Sequence, residues 1–139
     1  MFGNATTAWD YFEGFVLVAH RPGPLVEADF DNYLEDMLPR DELKGAVVRA
    51  SDGAPRPHQR ELLQLWFGRN ERHCAVLTSS LLARGGVTAL HWFGVPVRAF
   101  APSELDAALS FAGVPAESLW RARARLERVI AAADELVAP

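Results

Sequence analysis

Cysteine is almost missing from this chain: Cys74 is the single one in 139 residues, so no intramolecular disulfide can form. Long apolar runs are missing as well, and none approaches the roughly 18 residues needed to cross a bilayer. The opening stretch MFGNATTAWDYFEG has neither a basic region nor a long apolar core, so it does not resemble a secretory leader. There is no basic excess either. The formal net charge is −4, which leaves no electrostatic footprint for nucleic acid. Arg121, Arg123, Arg125 and Arg128 do cluster, but Glu127, Asp134 and Glu135 lie among or just after them. A cytoplasmic location without membrane insertion is the resulting expectation.

The familiar catalytic and cofactor motifs are also lacking. No G-x-S-x-G elbow occurs, and ARGGVTA is neither a P-loop nor a dinucleotide fingerprint. His20, His58, His73 and His91 show no paired ligand spacing. His73 and Cys74 are neighbours at the start of a strand, so their side chains should leave on opposite faces and cannot easily share one ion. The acidic group Glu27, Asp29, Asp31, Glu35 and Asp36 fails as a calcium loop. Leu34 stands where Gly is required and Arg40 where Glu is required. Glu27, Asp31 and Glu35 instead follow i, i+4, i+8, as the solvated side of a helix does. No metal and no cofactor is expected.

What is present is an ordinary globular composition, 50% hydrophobic and 23% charged, of a length that fits one domain with a real core. Short apolar runs alternate with helical periods. FVLVAH, GAVVRA, HCAVLT and VPVRAF read as strands, the last near an edge because Pro96 cannot donate to a ladder. Trp9, Tyr11 and Phe12 suggest an extra N-terminal strand. Phe30, Leu34, Met37 and Leu38 mark a first helix; Pro57 starts a second that carries Leu62, Leu63 and Trp66 inward. Ser79 or Ser80 caps a third and Ser103 a fourth, which Gly113 ends. Strands alternating with helices imply a mainly parallel, four- to five-stranded α/β sheet with alternating helices and a C-terminal helix.

In that last helix Leu119, Ala122, Leu126, Val129, Ala133 and Leu136 repeat 3-4-3-4-3, a narrow seam of coiled-coil type. Residues 116–139 therefore either pack back on the domain formed by residues 1–115 or meet another subunit. Leu119, Leu126, Val129 and Leu136 are the candidates for an oligomer interface.

Two strand–helix junctions concentrate polar groups. In RASDGAPRPHQRELL, Ser51, Asp52 and His58 sit between a strand end and a helix start. A serine hydrolase would need Ser51 activated by His58 and a group behind it. Asp52-Gly53 is first of all a turn dipeptide. Thr78, Ser79 and Ser80 place hydroxyls at the next junction, as helix caps or contacts. Gly85 and Gly86, which cost about 1 kcal/mol each inside a helix, point to close packing against a neighbouring element, a break in the helix, or a surface kept flat for a partner. Trp66, Phe67, Trp92 and Phe93 could instead line a pocket for a small apolar or lipid-like molecule.

Several phrases carry a family resemblance. DFDNYLEDML, ASDGAPRPHQRELL, VLTSSLLARGGVTALHWFG and VRAFAPSELDAALSFAGVP, in this order of elements, resemble STAS-like domains of bacteria, the SpoIIAA-like and STAS/SEC14 group, over roughly residues 10–115. The resemblance implies a domain without catalysis of its own that regulates by binding partner proteins. In the antagonists of this class a Ser in an Asp-Ser-Ser-Gly-like turn is phosphorylated. Here Ser51 precedes Asp52 and the pattern is missing, so the fold is expected without the phosphoswitch. The expected function is thus a non-enzymatic, cytoplasmic, protein-binding regulatory domain, with a protein partner or self-association through its last helix, and with Ser51, Asp52, His58, Thr78, Ser79 and Ser80 as contact candidates.

Overall fold

A computed structural model describes residues 1–50, 55–79 and 96–136. The strands are β1 (Phe2–Gly3), β2 (Thr7–Phe12), β3 (Phe15–His20), β4 (Gly45–Arg49), β5 (His73–Leu77) and β6 (Val97–Phe100). The helices are α1 (Glu27–Met37), α2 (Pro57–Arg69), α3 (Leu105–Ala112) and α4 (Leu119–Asp134), the last entered through a 3-10 turn at Ala116–Ser118. The six strands form one sheet in sequential order, β1 to β6.

The sheet is mixed, which corrects the expectation of a mainly parallel sheet of four or five strands. β1, β2 and β3 run antiparallel as a meander, and only β3 to β6 are mutually parallel. The reason is local. Phe12-Glu13-Gly14-Phe15 closes a two-residue hairpin, with φ of 44° at Glu13 and 88° at Gly14. Glu13 is an unusual residue for that conformation, and it is held from outside the turn. Its carboxylate accepts from Ser118 Oγ at 3.0 Å and pairs with Arg121 at 3.0 Å.

Alternation along the strands sorts the core into two layers. Phe15, Leu17 and Ala19 of β3 join Val47, Ala75 and Leu77 under α3 and α4. Val16 and Val18 face the other way and pack with Ala46, Cys74 and Val76 against α1 and α2. His73 and Cys74 do leave on opposite faces: the His73 ring lies 5.1 Å from Phe111 on α3, while Cys74 sits in the α1–α2 layer, where burial pushes its thiol up to about 12.

The helices show where periodicity decides and where it does not. Phe30, Leu34 and Met37 of α1 are buried, as their spacing requires. Tyr11 and Trp9 of β2 donate side-chain hydrogen bonds to Asp36 on this helix, which also pairs with Arg40. The seam of α4 is used inside the domain: Ala122, Leu126, Val129 and Ala133 are fully buried against the sheet, and Leu119 packs on the same layer. Leu126 and Val129 therefore offer no surface to a second subunit, and Leu136 is half-buried. On α2, Trp66 and Phe67 point inward with Leu63 alongside, but Leu62 turns to solvent, against expectation. Ser103 does not cap α3; Glu104 is its N-cap residue, and its carboxylate instead accepts the Ala101 N–H at 2.8 Å.

One close approach has a measurable consequence. A Cβ on Gly45, at the start of β4, would lie 2.3 Å from the carbonyl oxygen of Ala112, at the end of α3. The next atom, the His73 carbonyl oxygen at 3.1 Å, is backbone as well, and neither can rotate away. Gly45→Ala should cost about 2 kcal/mol, read as a lower urea midpoint at unchanged slope; a midpoint equal to that of the parent would show that α3 can retreat from the sheet.

Candidate functional site

The parallel strands β3, β4 and β5 end at His20, Arg49 and Leu77, and α1 and α2 begin on that side of the sheet. In doubly wound sheets a ligand crevice opens at such an end where the strand order reverses. Here the order runs on without reversal from β3 to β6. The polar groups at this end instead divide into an inner set, locked in the core, and an outer set on the surface.

The inner set centres on His20. Its Nδ1 lies 3.0 Å from Thr7 Oγ1, and its ring packs on Phe30 and Tyr33. The hydroxyl–imidazole spacing is that of a nucleophile and its base, yet Thr7 is 0% and His20 only 4% exposed. Burial, reinforced by the nearby Arg49 charge, lowers the His20 pKa to about 4. Arg49 donates two hydrogen bonds to the His20 carbonyl, at 3.1 and 2.7 Å, and pairs with Asp134 of α4 at 2.8 Å. This group ties β2, β3, β4 and α4 together.

The outer set joins the beginnings of α1 and α2. Gln59 is fully buried there. It accepts the Arg56 N–H at 2.8 Å and donates to Asp31 Oδ1 at 2.9 Å and to the Glu27 carbonyl at 3.3 Å. His58 is exposed beside it, with Nε2 at 3.3 Å from Asp31 Oδ1 and 3.8 Å from Glu27 Oε1. Arg56 approaches the other Glu27 oxygen at 3.6 Å. Glu27 and Asp31, expected as a solvated helix side, thus meet a histidine from the neighbouring helix.

From His58 a ridge continues along α2. His58, Leu62, Leu65 and Arg69 follow at spacings of 4, 3 and 4, and all four face solvent. Leu62 is 42% and Leu65 67% exposed. Such a pair on one ridge is more informative than a scattered surface leucine.

Of the contact candidates read from the sequence, His58 belongs to this ridge and Ser79 is exposed. Thr78 is buried, and its N–H donates to the Phe100 carbonyl, extending the β5–β6 ladder. Ser51, Asp52 and Ser80 lie outside the described residues, as do the helix expected after Ser80, the Gly85–Gly86 pair, Trp92 and Phe93. Trp66 and Phe67, offered as pocket walls, are core residues. No helix among the described residues is long and apolar enough to cross a membrane. Compared with family models, curated proteins and solved structures, the chain matches none.

Proposed function

We propose that this chain is a non-enzymatic regulatory domain that acts by binding a protein partner along the outer ridge of α2. The observation that carries this reading is the exposed pair Leu62 and Leu65, continued at one end by His58 and at the other by Arg69. Burying a leucine is worth about 1.5–3 kcal/mol, so two of them can anchor an interface while the flanking charged groups set its register. Helix ridges of this kind suit a groove or a second helix on the partner.

Three further points support it. The strand order offers an end surface without a reversal crevice. The hydroxyl–imidazole pair at that end is sealed from substrate. The STAS-like phrases resemble those of domains that regulate by contact, and the sequence around Ser51 and Asp52 lacks their phosphorylation pattern. The same resemblance makes a second copy of this chain an admissible partner.

A photoactivatable residue placed at Leu65 tests the proposal, with the same residue at exposed Glu117 on the opposite layer as control. A saturable protein adduct at position 65 that is absent at 117 is the expected result. Equal labelling at both positions, or none at 65, would overturn it.

A further inference from the structure

We propose that Glu27, Asp31 and His58 form a binding site for a divalent transition-metal ion of the zinc type. This inference stands on the α1–α2 junction alone and does not depend on the docking ridge. Each residue offers one ligand atom, and the three atoms lie within 4.8 Å of one another.

The distances decide what could fill the space between them. Zinc bonds to nitrogen and oxygen are about 2.0–2.1 Å long, so two ligands at the tetrahedral angle stand about 3.4 Å apart. The His58 nitrogen stands 3.3 Å from Asp31 and 3.8 Å from Glu27. Both separations from the imidazole nitrogen are thus within a few tenths of an ångström of that edge, and the two carboxylate donors lie within 4.8 Å of each other. Glu27 and Asp31 are one helical turn apart on α1, the i, i+4 spacing by which one helix face can offer two ligands to an ion. The third comes from the first turn of α2.

The chemistry of the donors narrows the ion. An imidazole among two carboxylates suits zinc and its neighbours, and it disfavours magnesium and calcium, which prefer oxygen. The surroundings hold the ligands in place. Fully buried Gln59 donates to the ligating oxygen of Asp31, as outer-shell partners commonly do. Arg56 takes the Glu27 oxygen that faces away from His58. Three protein ligands leave a fourth position open to water or to a donor from another molecule. Bound there, the ion would fasten α1 to α2.

Calorimetric titration of the full chain with zinc at neutral pH tests the site. One equivalent should bind, with a rise in melting temperature, because an ion held only by the native fold stabilises it. His58→Ala should weaken binding by more than about tenfold; Asp31→Asn should weaken it as well, and exposed His73→Ala should not. His58 is exposed, so its alanine variant keeps its core and can be checked for an unchanged circular dichroism spectrum. Excess magnesium should not compete. No binding by the parent chain, or binding that His58→Ala leaves unchanged, would overturn the site and reduce the cluster to an ordinary ion pair.

Discussion

A chain ended after Pro115 should not fold. It loses α4, whose Ala122, Leu126, Val129 and Ala133 are all fully buried on one face of the sheet. Their removal bares Phe12, Phe15, Leu17 and Ala19 of β2 and β3, which α4 covers. Leu126 and Val129 alone account for about 3–6 kcal/mol of burial, against a stability of about 5–15 kcal/mol for an ordinary domain. The cut also removes the Arg49–Asp134 and Arg125–Asp10 pairs that bind α4 to the strands. The shortened chain should show collapsed proton shift dispersion and no cooperative melt, while Leu126→Ala in the full chain should cost about 3 kcal/mol. A folded, cooperative fragment of residues 1–115 would mean that α4 is an appendage after all, and the seam would return as an interface.

Mild acid should loosen the fold through His20. Its folded pKa, about 4, lies below the ordinary value of 6.5 because burial and the Arg49 charge both resist protonation. The unfolded chain therefore binds this proton first. The stability that neutral His20 contributes is complete above pH 6.5 and is lost as pH falls from 6.5 towards 4, by about 3 kcal/mol in total. Asp36 acts lower on the scale. Burial alone would raise its pKa, but the hydrogen bonds from Tyr11 and Trp9 and the Arg40 charge outweigh that and leave it lowered, so its contribution fades only as pH drops through that lowered value. Urea unfolding at a series of pH values should show the loss between 6.5 and 4, and His20→Gln should flatten it. An unchanged free energy across that window in the parent would show that His20 gains a partner for its proton.

The elements that could be read from sequence are those whose side chains have one possible use. Strands β3 to β5 are buried on both faces, so they stand out as apolar runs. On α1 a single apolar stripe leaves no choice of orientation, whereas the α4 seam marks the apolar face without saying whether the sheet or another subunit takes it. The α2 helix has two: Leu63, Trp66 and Phe67 on one side, Leu62 and Leu65 on the other. Periodicity cannot say which stripe the sheet takes, and the larger aromatic one won. β1 is only two residues long and carries no pattern at all.

The outer site was hidden for a different reason. His58 and Asp31 are 27 positions apart, and no spacing rule links the first turns of two helices. The only sequence signal was half of it, the i, i+4 pair of Glu27 and Asp31, which any solvated helix face also shows. Gln59 could not be recognised as the buried clasp between them, since glutamine at a helix start is ordinarily a surface residue.

The central claim is that the α2 ridge is a contact surface for protein, and position-specific crosslinking from Leu65 tests it most directly. A single adduct of defined mass that forms at Leu65, saturates with partner concentration and disappears when Leu62 is changed to arginine is the predicted result. An adduct that survives Leu62→Arg, or that forms equally from Glu117, would contradict the claim and leave the two leucines as surface residues without a role.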